Sequence, residues 1–417
     1  MACAGCLARV PPSTSRSRST RVDSLTANAA VRLWQLQRAA PGGTSLGLRP
    51  SLTHRPCPLS AGKGTYKNAA TLTYEGEWST NFRNGQGVQT WPAEGDAADT
   101  YDGAWEDDQR TGEGVMKYAN GDVYEGLWGP GGEFGVRCGQ GKCTYANGDI
   151  YEGEWQDDVR CGIGICRFAN GDVYEGEYMD DGQDGEGICK YDNGDVYTGM
   201  WARAKRNGEG ECKYSDYDQA SGMRSYYRGG WKDDSRSGIG TMIAADGDRY
   251  DGVWVYDSRQ GRGVQRYCRL GERYVGCFFK NLRHGHGTHT YGNGNKYVGG
   301  WKGGRREGQG TCDYPGEGAY SGTWLQDRKE GFGKFDFTVG DVYAGDWVNN
   351  LRHGQGKCEY HSGEVYDGEW QHDVRAGEGG ETIPRDEKAD TLNSTAALSD
   401  TVRVWPEPAR PRAPQVA

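Results

Sequence analysis

The chain has 417 residues, a formal net charge of −10, and 69 Gly beside 26 Tyr and 14 Trp. Aliphatic side chains are too few to fill a thick core, which sets aside the two or three globular domains that length alone suggests. Glycine without a three-residue period is not collagen, and aromatics at this density are not the composition of a disordered chain. What remains is a repeated strand-and-turn unit with a thin aromatic core.

The first segment is 1–66. Residues 1–60 hold eight Arg, no Lys and one acid, Asp23. The stretch NAAVRLWQLQRAA suits a short amphipathic helix. Two readings fit this segment: an organelle transit peptide, for plastid or mitochondrion, and a disordered basic tail. Cys3 and Cys6 form the one Cys-x-x-Cys of the chain, where lipidation and metal binding are minor readings. No uninterrupted apolar stretch marks a secretory signal, and no 18-residue apolar run marks a transmembrane helix.

Residues 67–383 carry the repeat. Tyr-x-Gly-x-aromatic begins thirteen times between Tyr74 and Tyr366, usually 23 residues apart, and each copy is followed by a Gly-x-Gly such as Gly112/Gly114 or Gly162/Gly164. In GEGVMKYANGDVYEGLW two short strands flank Asn120-Gly121, a hairpin signal. A two-residue loop would mix apolar and charged groups on both faces. A three-residue loop, Ala119-Asn120-Gly121 with Gly121 left-handed, sorts them. Gly112, Gly114, Met116, Tyr118, Tyr124, Gly126 and Trp128 then share one face, and Glu113, Lys117, Val123 and Glu125 the other. In this register Gly112 lies opposite Trp128 and leaves room for its indole. The residues QDDVRC after Trp155 make an outer loop. Segment 384–417, ending in WPEPARPRAPQVA, reads as a disordered Pro-rich tail.

YEGEWQDDVRCGIGICRFANGDV (151–173) and YAGDWVNNLRHGQGKCEYHSGEV (343–365) resemble the MORN repeat (membrane occupation and recognition nexus) over about 74–383. The resemblance implies a β-hairpin repeat used for scaffolding and for attachment to membranes or partners. It implies no single activity. Some relatives join the repeats to a lipid kinase, a methyltransferase domain or a membrane anchor.

A lone hairpin buries almost nothing, so stacked copies must bury each other's rings. The predicted fold is all-β: an elongated, single-layer antiparallel meander. Thirteen hairpins give roughly 26 strands and, at about 4.8 Å each, a sheet on the order of 120 Å. The expected repeat core includes Tyr124, Gly126, Trp128, Tyr151, Gly153, Trp155, Gly162, Gly164, Trp301, Trp324, Trp347 and Trp370.

Residues able to do chemistry have structural readings. Cys143, Cys166, Cys189, Cys212, Cys312 and Cys358 occupy one column, two strands apart and about 9–10 Å from one another. That is too far for disulfides, and small buried hydrophobes in a reducing compartment is the reading. His284, His286 and His289 in RHGHGTHTYG read as turn or strand-surface histidines. The Gly-x-Gly pairs lead into strands rather than helices, so they are not phosphate cradles. Asp157-Asp158 and Asp233-Asp234 read as solvated loop acids. No catalytic residue, cofactor or metal site is assigned, and the chain is expected not to be an enzyme.

The repeat region is acidic, so it is not drawn as a whole to anionic headgroups or to nucleic acid. Anion binding would need a local basic stripe. The candidates are Arg203, Lys205, Arg206, Arg224 and Arg228, and Lys302, Arg305 and Arg306. A loop column recurs as Arg (Arg110, Arg160, Arg206, Arg236, Arg283, Arg306, Arg352, Arg375), read as pairing with the acidic residues just before it. The functional expectation is a cytoplasmic scaffold or adaptor for protein partners, at a membrane or the cytoskeleton. Two alternatives stand beside it. One is a phosphoinositide- or anionic-phospholipid-binding module working with a separate lipid kinase. The other is a ciliary or axonemal component, which rests on family analogy alone. Partner identity and oligomeric state are not in the sequence.

Overall fold

The described residues of the computed structural model are 61–68, 72–92, 98–132 and 134–382. The readings for 1–60 and 384–417 lie outside them. By internal contacts the chain divides into Met1–Cys57 and Pro58–Ala417, and every described residue belongs to the second unit.

These residues form one antiparallel sheet of 27 strands, from β1 (Ala61–Lys67) to β27 (Val374–Thr382), with no helix. Each strand pairs with the next in the chain. The sheet is an open meander. Among the described residues its first strand, β1, pairs along its whole length with β2 (Thr73–Ser79).

Two kinds of turn alternate. The inner turn joins β5 (Gln109–Lys117) to β6 (Val123–Gly129) in the sorted register, with Met116 opposite Tyr124 and Gly112 opposite Trp128. Gly121 has φ 96° and donates its N–H to the Tyr118 carbonyl at 2.9 Å. Asn120 Oδ1 accepts the Asp122 N–H at 3.0 Å, which closes an Asx turn. The outer turn is tighter than the six-residue loop expected. Strand β8 (Ile150–Gln156) passes to β9 (Val159–Arg167) through Asp157 and Asp158 alone, with φ 51° and 67°. Two positive-φ residues make the primed turn whose twist matches the strands, and Asp tolerates that conformation.

One face holds the core. All thirteen motif Tyr side chains are buried, as are the Trp, Tyr or Phe residues that close the motif from Trp105 onward. The rings form a continuous edge-to-face chain: Tyr124 meets its own Trp128 and the next repeat's Trp155, each at 5.3 Å between centroids. The polar handles of the motif rings are satisfied, save the Tyr178 hydroxyl. Tyr124 Oη donates to the Leu127 carbonyl at 3.0 Å, and Trp155 Nε1 to the Gly141 carbonyl at 3.2 Å.

The glycines serve a different ring from the one expected. Gly153 faces Gly164 across the outer hairpin, and a Cβ on Gly164 would stand 2.5 Å from the Tyr151 ring. The tyrosine, not the tryptophan, occupies the space that the missing side chains leave. Gly162 lies opposite Tyr178, whereas Trp155 lies opposite Gly139 and Arg160. Gly162 has φ 56° and sits where the β8–β9 register slips, as the left-handed residue of a bulge. Its Cβ would meet the Glu154 carboxylate rather than an indole.

Candidate interaction surface

The arginine column binds forward, not backward. Arg137, at the start of β7 (Val136–Thr144), donates Nε to Asp158 Oδ1 at 3.0 Å and Nη2 to the Asp158 carbonyl at 2.8 Å. Its own backbone N–H donates to the same Oδ1 at 3.0 Å. The guanidinium lies 4.2 Å from the Trp155 ring centroid, so one side chain joins a charge-assisted hydrogen bond to a cation–π contact. Asp158 belongs to the next repeat. The same clasp joins Arg83 to Asp108, Arg160 to Asp181, Arg206 to Asp234, Arg236 to Asp257, Arg306 to Asp327 and Arg352 to Asp373. The expected pairing with the preceding acids is thereby corrected. The second Asp of each such turn is both turn former and acceptor, not a free loop acid.

The opposite edge carries a smaller clasp that the sequence reading missed. Asp122 Oδ1 accepts the Ala146 N–H of the next inner turn at 2.8 Å, and Asp149 accepts that of Ala169 at 2.8 Å. The recurring Asn-Gly-Asp signals it, because Asn and Gly make the turn and the Asp is left for a neighbour.

The column departs from the rule at a few positions. Arg110 donates to the carbonyls of Phe134 and Gly135, each at 2.9 Å, and its burial pulls its pKa below the usual range. Lys329 replaces Arg and Asn350 replaces the acceptor Asp. Asn350 Oδ1 still accepts the Lys329 backbone N–H at 2.9 Å, while the ammonium lies 4.4 Å from the Phe335 centroid and 4.8 Å from that of Trp347. Tyr314 and Tyr320 complete the enclosure at 5.1 and 5.2 Å. Burial in this apolar cage lowers the Lys329 pKa from the usual 10.5 to about 8.

The first basic stripe therefore comes apart. Arg206 and Arg306 belong to the clasp. Arg228 pairs with Glu211 at 2.5 Å. Arg203 and Lys205 sit at the outer turn between β12 (Val196–Ala202) and β13 (Lys205–Asp218). Arg224 pairs with Tyr217 at the far end of β13, on β14 (Met223–Lys232). Lys302 and Arg305 face each other, exposed, beside the Gly303-Gly304 turn.

His289 is not a surface histidine. It occupies the cysteine column opposite Tyr274, is 2% exposed, and stacks on Tyr291 at 4.2 Å. Burial, then the adjacent Arg283, lowers its pKa, and Nε2 meets Glu272 Oε2 at 3.0 Å. His284 and His286 are exposed. The six thiols of the column are buried, and burial raises their pKa. Among the described residues, no three His, Cys, Asp or Glu side chains gather as metal ligands do, and no helix is long and apolar enough to cross a membrane. One cleft of about 570 Å³ is lined by His286, Gln309, Thr311, Ser321, Phe332 and Lys334, among others.

The MORN repeat family model matches thirteen times in tandem, from 74–94 to 366–385. The chain belongs to the MORN-repeat proteins. No curated protein matches it. Among solved structures, the TCP10 domain of Danio rerio CPAP in complex with a STIL peptide is 11% identical, with 66% of this chain and 95% of that one covered and a TM-score of 0.20. A CPAP G-box domain is 11% identical over 59% of this chain and 100% of that one, TM-score 0.17. A streptogramin B lyase is 12% identical over 76% and 92%, TM-score 0.12. At these scores none bears on the function of this MORN-repeat protein.

Proposed function

We propose that this MORN-repeat protein is a non-catalytic scaffold or adaptor that gathers protein partners along its sheet. The observation that supports this is the division of labour between the two faces. The recurring Tyr, Gly and closing aromatic residues, with the Arg and Asp present in most copies, are consumed in ring contacts, bulges and clasps. The other face is open, and its side chains differ from one repeat to the next, so each repeat offers a distinct contact. Affinity capture of the full chain from its own cells, with mass spectrometry, tests this reading. Recovery of stoichiometric partners supports it, and a chain recovered alone refutes it.

A second reading, an anionic-lipid-binding module serving a separate lipid kinase, is favoured by the outer-turn edge. There Tyr256, Phe279, Leu282 and Leu325 are exposed beside Lys280, Lys302 and Arg305. Apolar side chains set among cations suit a headgroup surface. Flotation with phosphatidylserine vesicles tests it, and failure to float removes it.

A further inference from the structure

The net charge of the repeat region hides a strong segregation. Residues 71–200 hold 27 acidic and 8 basic residues, and 307–382 hold 15 acidic and 6 basic. Between them, residues 201–257 are near balance at 10 acidic and 9 basic, and residues 258–306 hold 11 basic residues and a single acid, Glu272. This block is β17 (Ser258–Tyr267), β18 (Glu272–Phe279), β19 (Leu282–Thr290), β20 (Lys296–Lys302) and the start of β21 (Arg305–Tyr314).

Register places its free charges on the open face. Arg249 pairs with Arg266, Arg266 with Arg273, Arg273 with Thr290, and Thr290 with Lys296, so one row of cations crosses the strands. Asp251 binds Arg249 and Arg266, each at 2.7 Å. Arg273 and Lys296 are exposed, with no acidic partner within salt-bridge distance among the described residues. Toward the outer turns, Arg262, Lys302 and Arg305 are equally exposed and without an acidic partner. Between the two margins runs an uncharged row, in which Val264 pairs with Val275, Val275 with Thr288, and Thr288 with Val298.

We infer that the open face of β17–β21 docks a short acidic polypeptide segment. It lies across the strands with carboxylates on Arg273 and Lys296 at one margin and on Arg262, Lys302 and Arg305 at the other, and with apolar side chains over the valine row. The size limit comes from the C-terminal flank. Five strands span about 20 Å, the reach of roughly six extended residues. Asp313 follows Lys296 directly in the cation row, and the strands after it are acidic. A bilayer or a nucleic-acid duplex, being longer than the block, would bring its phosphates within about a Debye length of that acidic side. A single strand of nucleic acid would want stacking platforms, and the valine row supplies none. A short acidic chain meets the cations and stops before the repulsion begins.

The inference rests on the scaffold reading, since it names the chemistry of one partner. Fluorescence anisotropy of the full chain, with a labelled peptide of about six Glu and Val residues in about 0.15 M salt, tests it. Wild type binds the peptide. Arg273→Glu with Lys296→Glu weakens binding by roughly tenfold or more at an unchanged melting temperature, while the equal charge change Lys117→Glu with Lys190→Glu leaves it intact. No binding, an equal loss in both double variants, or tighter binding of phosphatidylserine vesicles or of a DNA duplex overturns the inference. Should it fail while affinity capture still recovers partners with the Arg273→Glu/Lys296→Glu variant, the scaffold reading stands without it.

Discussion

Tyr151 shows how little material holds one repeat. Its ring lies over the Gly153–Gly164 pair, its hydroxyl donates to the Glu154 carbonyl at 3.0 Å, and its edges meet Trp155 and Tyr178 at 5.3 and 5.0 Å. Gly164→Ala should therefore unfold the repeat, because its Cβ would collide with a ring that rigid neighbours hold in place. Gly162→Ala should cost only the strain of a left-handed residue, about 1 kcal/mol. Urea denaturation of the two variants separates ring clash from backbone strain, and equal losses would show the ring to be mobile. Lys329 gives a pH dependence of defined sign. Its folded pKa of about 8 lies below the usual 10.5, so between pH 8 and about 10 this group by itself contributes stability that rises with pH, because the unfolded chain binds the extra proton. The six buried thiols, whose pKa burial raises, pull the other way, since they ionise first in the unfolded chain. Lys329→Arg with Asn350→Asp installs the ordinary clasp, keeps the thiols, and should lose stability more steeply than wild type as pH rises from about 8 toward about 10. Identical pH profiles of the two proteins would remove Lys329 from the pH dependence.

At the scale of the element, the hairpin is bounded by two turns, each tied to a neighbouring repeat. The inner Asp takes an N–H of the next inner turn, and the outer Asp takes the arginine of the repeat before it. Repeats are thus interchangeable if the count between clasps is kept. Deleting 151–173 joins Ile150 to Tyr174 and offers Arg137 the acceptor Asp181 in place of Asp158. The shortened chain should retain a β-type far-UV spectrum and a cooperative melt. Deleting 151–172 leaves one residue too many before Tyr174 and turns every later side chain of that strand to the wrong face. It should be insoluble or broadly melting. If both deletions behave alike, register is not what the clasps enforce.

Across the whole sheet each strand touches only its neighbours, so damage should stay local. Trp155 is 3% exposed and serves both Tyr124 and Tyr151. Trp155→Ala should cost on the order of 3 kcal/mol, with hydrogen-exchange protection lost around β7–β9 and kept in β20–β27. Loss everywhere would mean one cooperative unit instead. Locality also separates surface from clasp. Arg203→Glu with Lys205→Glu should melt like wild type, whereas adding Arg206→Glu should lower the melting temperature, because it breaks the Asp234 pair and the contact 4.3 Å from the Trp231 centroid. A triple variant as stable as the double one would remove Arg206 from the clasp.

The sequence by itself determined the repeat, the antiparallel meander, the inner-turn register and the identity of the buried rings. Those depend on alternation within one hairpin, where contacts lie a few residues apart and a one-residue error exposes a whole face. The tertiary structure alone decided which neighbour each recurring residue serves. Arg206 and Asp234 stand 28 residues apart while Arg137 and Asp158 stand 21 apart, because an insertion lengthens one repeat without moving the clasp. Spacing in the chain could not show that arginine reaches forward rather than back. Nor could it show that tyrosine rather than tryptophan claims the glycine gap, or that Arg206 and Arg306 are withdrawn from the surface while Arg262, Arg273 and Lys296 remain on it. Those outcomes follow from the direction in which a side chain leaves its strand and from what the next strand places beneath it.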